Sequence, residues 1–267
     1  MAQTGRAYVL SEATLAQLQA YRPNVAVQPW GATEGHNWHL PHGTDCVEVT
    51  AVGEGAVEAA YRKGAKCVLL PTMVYGNDNL QLDQVATITM RTATQAAVLR
   101  DIAYSLVRQG IDRLVVLNGH GGNEFTAMIR DIMLELPIFI VQIRAYQTAP
   151  EAMKVLENRD GDHANEMETS LMMHLKPEWC APIETAGDGA VTPSTMPSLK
   201  NPAVWYPRHW ASLSKSTGVG DPRKGTAEKG KHILTAVVAA LAEMLVELSA
   251  AKLGEFPFVL RSADKNR

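Results

Sequence analysis

Four short apolar runs, each followed by a polar loop, constrain this chain more than any other feature. They are Val25–Gln28, Cys67–Pro71, Leu114–Leu117 and Ile138–Ile143. Continuous apolar runs of this length suit strands buried on both faces, and Cys67–Pro71 reads as a central one. Helical spacing fills the gaps: Val47, Val49, Val52, Val57 and Ala60 before Lys63-Gly64, then Ala97, Val98, Ile102, Leu106 and Val107 before Gly110, then Phe125, Met128, Ile129 and Met133. Gly53 and Gly55 weaken the first of these helices, which is read as starting after Asp45. Strands alternating with helices give βαβ units, hence a three-layer α/β/α fold with a mostly parallel central sheet.

The remaining elements are less regular. Ser11 can cap a helix through Leu15 and Leu18 that Pro23 ends, and Thr87–Met90 alternates like a strand. Asp162–Ser170 starts a helix through Leu175, and Thr226 can cap a closing helix to about Lys252. The stretch Pro177–Lys224 is rich in Pro, Gly, Ser and Trp, and a loop this long is usually functional. The tail Gly254–Arg267 reads as an edge segment that frays at its end.

No linker divides the 267 residues, so residues 1–267 are taken as a single domain. A formal charge of -3 and a pI near 6.2 offer no general attraction for phosphate backbones or anionic lipid, which excludes nucleic acid and a membrane surface as partners. Cys46, Cys67 and Cys180 are odd in number and widely spaced, which points to a reducing compartment. The amino terminus lacks a signal-peptide core, and the most apolar run, Ile233–Leu241, falls short of the roughly 20 residues of a membrane span. A cytoplasmic location is therefore expected.

Chemistry gathers in the polar loops. Pro29–Asp45 (PWGATEGHNWHLPHGTD) carries Glu34, His36, His39, His42 and Asp45 directly after the first strand. Carboxylate oxygen and neutral imidazole nitrogen are the ligands that zinc, manganese and iron accept from proteins. The third strand opens into Asn118-Gly-His-Gly-Gly-Asn123, where glycines leave the His120 ring free to approach an ion; a histidine there equally suits a hydrogen bond to a turn backbone. His163 and Glu168 follow the fourth strand after an excursion. Five residues apart, they share a site only if His163 lies in the turn leading in and Glu168 in the first helical turn, which leaves Glu166 as a solvated or capping carboxylate. Trp179, Met172 and Met173 read as core. In a parallel sheet the three loops leave one edge, the edge where α/β proteins bind ligands.

The motifs GATEGH-x-x-HLP-x-GTD, NGHGGN and HA-x-x-x-ETS, with the later Gly218–Pro222 and Ala227–Gly230, resemble the creatininase (creatinine amidohydrolase) family. The resemblance runs in order from about residue 25 to 232. It implies a three-layer α/β/α fold, a hydrolase site with two divalent ions (zinc, manganese or both, iron as an alternative), a small-molecule substrate and a homo-oligomer, commonly a hexamer. By position it implies that Glu34 and His120 hold one ion, that His36 holds the other and that Asp45 bridges them. A hydroxide between the ions is then the nucleophile. Creatininase itself takes a second-ion ligand from a Glu at the position of Gly122, so Glu168 is assigned that role here, with His163 transferring a proton to the leaving group. The family pattern Y-G-x-S-x-x-H-x-x-F-P-G-T is replaced by YGNDNLQLDQVATIT at Tyr75–Thr89. Asn77, Asp78, Asn79, Gln81 and Asp83 there suit a strongly polar ring, or else form a solvated loop.

Three readings stand. The first is an amidohydrolase acting at a carbon-nitrogen bond of a small cyclic amide or formamide. The second keeps the ions but opens a sugar-like or inositol-derived cyclic ketone or lactone. The third is a non-catalytic, metal-stabilised oligomeric scaffold, disfavoured because structural sites are usually closed and sulfur-rich. No Gly-x-Ser-x-Gly is present for a serine hydrolase, and Gly225–His232 lacks the Ser or Thr of a phosphate loop.

Overall fold

A computed structural model describes residues 5–252. Its sheet has four parallel strands: β1 (Val25–Trp30), β2 (Cys67–Leu69), β3 (Arg113–Asn118) and β4 (Phe139–Arg144), in the order β2-β1-β3-β4. Alternate residues go to opposite faces, as the pleat requires. Val27, Val115 and Leu117 join one apolar cluster, and Ala26, Leu114 and Val116 join the other. The first cluster is completed by α2 (Thr44–Arg62), α5 (Glu166–Leu175) and α7 (Ala227–Ala250); the second by α3 (Thr92–Arg108) and α4 (Thr126–Glu135). Helices thus cover both faces of a parallel sheet, the expected three layers. The tail beyond Lys252, read from sequence as an edge segment, lies outside the described residues.

Several local expectations need correction. β2 is an edge strand of the sheet rather than a central one. Its apolar character follows from a lid of chain: Leu69 donates to the Tyr8 carbonyl and Leu10 donates to the Leu69 carbonyl, at 2.8 and 2.9 Å, so this edge is covered. Thr87–Met90 forms no strand; only Ile88 bridges, to Thr33, because the stretch is the return arm of the loop after β2. The first helix, α1 (Leu15–Tyr21), is capped by Thr14 rather than Ser11. Thr14 and Gln17 exchange side-chain and backbone hydrogen bonds in a capping box, a pattern that Thr-x-x-Gln already spelled.

Helix α2 begins at Thr44, so Asp45 sits in a first helical turn and not in the loop. Gly53 and Gly55 do not break it. Leu69, Pro29 and Leu117 pack where a Gly53 side chain would be, and Val238 of α7 packs against Gly55. Nearer the start of α7, a Cβ at Gly230 would lie 1.9 Å from the Ser170 carbonyl oxygen of α5, so these two helices cross in backbone contact.

The apolar stretch of α7 is longer than the sequence reading allowed. The helix has 24 residues and a window of mean hydropathy 1.9, enough by length and composition alone to cross a membrane. Ile233, Val237, Leu241, Leu245 and Leu248 form its buried stripe against the first apolar cluster, while Lys231, Glu243 and Glu247 lie on its exposed side. That division is the pattern of a helix packed on a core.

Candidate metal centre

Each connection from the carboxyl edge of the sheet delivers part of one buried cluster. The loop after β1 supplies Glu34 and His36, and the start of α2 supplies Asp45. The loop after β3 supplies His120. The segment after β4 supplies His163, and the first turn of α5, capped by Asn165, supplies Glu168. One ligand atom from each of Glu34, Asp45 and His120 can be chosen so that all lie within 4.8 Å of one another, and the same holds for His36, Asp45 and Glu168. Asp45 belongs to both triads. A third such group joins Glu34 and His36 to His163. The structure therefore brings together all six residues singled out from sequence; His39 and His42 point elsewhere, to the Thr169 hydroxyl and the Val85 carbonyl.

The backbone decides which nitrogen each imidazole offers. His36 Nδ1 faces the Glu34 carbonyl at 3.1 Å, His120 Nε2 faces the Asn77 carbonyl at 3.2 Å and His163 Nε2 faces the Gly35 carbonyl at 2.8 Å. A carbonyl only accepts, so those nitrogens carry hydrogen and donate. The opposite nitrogens are left for the cluster. His36 Nε2 lies 3.1 Å from Asp45 Oδ1; His120 Nδ1 lies 2.8 Å from Glu34 Oε1 and 3.1 Å from Asp45 Oδ2. His163 is held between two rings, His36 at 4.2 Å and Trp210 at 4.8 Å between centroids, with Nδ1 3.8 Å from Glu34 Oε1. Ala164, next to it, takes a left-handed φ of 49° and turns its N–H onto Glu168 Oε2.

These groups fit divalent cations on two observations. First, Glu34 Oε1 and Asp45 Oδ2 are buried without a hydrogen-bond partner although both crowd His120 Nδ1: the atoms converge on a point instead of bonding one another. Second, among the described residues the ion-pair partners of Glu34, Asp45 and Asp78 are imidazoles alone. Burial pushes the Glu34 carboxyl up to about 7 and the Glu168 carboxyl up to about 8. Burial opposes charge on His36 too, yet the Asp45 carboxylate lifts it to about 10. Asp45, despite its burial, is held below the usual carboxylate range by His36 and His120. Protons on the rings thus offset a surplus of buried negative charge, which is the role a dication fills with oxygen and nitrogen ligands.

Gly122 explains the departure from creatininase's own pattern. A Cβ there would meet the Asn77 carbonyl oxygen at 2.4 Å and His120 Nε2 at 2.5 Å. The loop after β2 fills that space, so a side chain at 122 has no room, and the carboxylate that lies with His36 and Asp45 is Glu168 of α5.

Sequence reasoning placed Asp78 and Gln81 at the substrate or in solvent. Both are instead buried, 3% and 2% exposed, and turned toward the cluster. Asp78 Oδ1 lies 3.0 Å from His120 Nε2, and Gln81 Nε2 donates to Glu34 Oε2. Glu166, expected to be solvated or capping, is not solvated, and the cap of α5 is Asn165. Glu166 is fully buried and accepts from the backbone of Glu157 and Asn158 and from Lys229 Nζ, at 3.2, 2.6 and 2.7 Å. Glu48 was missed altogether: buried one helical turn after Asp45, it accepts from the Tyr146 hydroxyl at 3.1 Å, and burial pushes its carboxyl well up. Its spacing of three from Asp45 was the available signal.

A parallel α/β scaffold gathers three histidines with paired carboxylates at its ligand-binding edge, a donor set suited to divalent ions. The creatinine amidohydrolase family matches residues 11–245, and the chain belongs to that metal-dependent hydrolase family. A solved Bacteroides fragilis structure, described as a candidate creatinine amidohydrolase, is 39% identical with a TM-score of 0.84, covering 92% of this chain and 97% of that one. A mycofactocin precursor peptide peptidase from Mycobacterium tuberculosis is 30% identical over 249 residues, 86% of this chain and 87% of the relative. A 3-dehydro-scyllo-inosose hydrolase from Thermotoga maritima is 23% identical over 249 residues, covering 84% and 78%.

Proposed function

We propose that the chain is a two-ion hydrolase cleaving a carbon-nitrogen bond in a small polar cyclic amide or formamide. The observation that carries this reading is the sharing of Asp45 between two ligand triads. Glu34 and His120 would complete one ion position, and His36 and Glu168 the other, with zinc or manganese suited to these oxygen and nitrogen donors. Two such ions supply Lewis-acid polarisation of the carbonyl and activation of water at neutral pH.

The remaining work falls to the protein. His163 presents Nδ1 toward the cluster because Nε2 donates to the Gly35 carbonyl, so it can take a proton and return it to the departing nitrogen. Trp210 and His36 hold that ring at a fixed angle. Thr217 donates to the Gly35 carbonyl at 2.7 Å and accepts from the Asn37 N–H at 2.9 Å, which ties the late segment to the loop carrying His36. The same segment bears Trp205, 86% exposed, and Trp210, whose ring packs on His163.

A second reading, attack on a ring ketone of an oxidised cyclitol, is supported by the Thermotoga relative's described activity. The inward turn of Asp78 and Gln81 takes two of the five polar residues that first motivated it out of solvent, while Asn79 and Asp83 stay exposed. A panel of lactams, formamides, short peptides and oxidised cyclitols decides between them: turnover of the first two groups is expected, and turnover of cyclitols alone overturns the amide assignment. Within the panel, Glu34→Gln and His120→Ala are expected to abolish turnover while circular dichroism stays native; activity in both variants means the site is misassigned.

We also infer a cytoplasmic homohexamer, on the family resemblance and the three unpaired cysteines. Light scattering at about six chain masses is the expected result, and a monomer at micromolar concentration contradicts it.

A further inference from the structure

The loop after β2 contributes two buried polar side chains for which substrate contact is not needed as an explanation. Asp78 has both carboxylate oxygens without a hydrogen-bond partner, and Gln81 Oε1 also lacks one. A buried carboxylate left in this way is costly unless a charge lies nearby. The charge-bearing group nearest Asp78 is the His120 ring, with Nε2 3.0 Å from Oδ1, on the side opposite the nitrogen facing Glu34 and Asp45. Gln81 stands in the same relation to Glu34: its amide donates to Oε2, while Oε1 turns to His120.

The loop is fixed where it must be for this. The Asn77 N–H donates to Asn123 Oδ1 at 3.0 Å, which also accepts from Gln95 Nε2 at 2.7 Å. Asn123 in turn donates to Asn118 Oδ1 at 3.1 Å, and the Asp78 N–H donates to the Thr89 hydroxyl at 2.9 Å. The last Asn of the NGHGGN motif therefore holds the loop that backs the motif's own histidine.

We propose that Asp78 and Gln81 are positioning residues for the ion position formed by Glu34, Asp45 and His120. Asp78, together with the Asn77 carbonyl, faces Nε2 so that Nδ1 is the ligand nitrogen, and Gln81 occupies one Glu34 oxygen so that the other alone is offered. Partners of this kind orient ligands and raise their basicity, and their loss typically weakens metal binding by about 10–100-fold. Among the described residues no hydrogen bond or ion pair joins this loop to His36 or Glu168, the members of the second triad not shared with the first, so the two positions differ in what supports them. The inference rests on the two-ion reading above.

The test is zinc titration of the full-length chain after stripping with a chelator, with thermal unfolding of each stripped sample. Wild type is expected to take two equivalents. Asp78→Ala is expected to lose about 10–100-fold in affinity for one equivalent while the other stays within about twofold. Asp78→Asn, which keeps an oxygen able to face Nε2, should retain most of that affinity. The melting temperature of stripped Asp78→Ala should not fall, because a buried unpartnered carboxylate has been removed. Gln81→Met provides a second variant with the same expected selectivity. Wild-type affinity for both equivalents in Asp78→Ala and Gln81→Met overturns the inference and leaves the two-ion reading intact. Equal weakening of both equivalents with a lower melting temperature also overturns it, since that is a general structural effect. A wild-type chain that binds no ion overturns both.

Discussion

Replacing Asp45 with asparagine is expected to empty both ion positions at once and to lower turnover by roughly a thousandfold or more, about 4 kcal/mol of barrier. The reason is geometric: Oδ1 faces His36 Nε2 at 3.1 Å and Oδ2 faces His120 Nδ1 at 3.1 Å, so the two triads meet in this one carboxylate. An amide keeps the shape and one acceptor but loses the shared charge that two cations held close together require. The fold should persist, because in the metal-free chain Asp45 is a buried anion that draws protons onto two rings. Metal content after dialysis, turnover and near-ultraviolet dichroism are the measurements. A D45N chain retaining two equivalents of metal would show that the triads are not joined through this residue.

The largest expected loss of stability lies behind the site. Glu166→Ala is expected to cost about 3 kcal/mol, because it strands the backbone N–H groups of Glu157 and Asn158 and leaves Lys229 without its buried partner. For a chain of this size that corresponds to roughly 6–12 °C in melting temperature. Glu166→Gln keeps an acceptor oxygen and should lose less. A change under about 1 kcal/mol in Glu166→Ala would mean that water replaces the carboxylate and that the residue is not structurally committed. Only the structure suggests this experiment, since Glu166 sits two residues from Glu168 in a motif whose chemistry draws attention to the latter.

The contrast between those neighbours shows how far sequence reasoning reaches. Glu168 and Glu166 are both acidic residues of a first helical turn, and composition treats them alike. The 100° step of a helix sends one toward His36 and Asp45 and the other toward α7, where Lys229 waits. Asp78 and Gln81 look like solvated loop residues for a related reason. Their inward direction comes from Asn123 and Thr89 holding the loop backbone, contacts between residues 46 and 11 apart. Gly122 reads only as a missing ligand until the Asn77 carbonyl is found in the space its side chain would need.

By itself the amino-acid order determined the layered parallel fold and six of the residues gathered in the cluster, though not Glu48, Asp78 or Gln81. Period and burial are local properties of the chain, and parallel strands bring every following loop to one edge. Tertiary structure alone decided which nitrogen each histidine offers, which loop stands behind His120 and that β2 lies at a covered edge. Each of those depends on distances between segments far apart in the chain, and such distances are set by packing that no local pattern encodes.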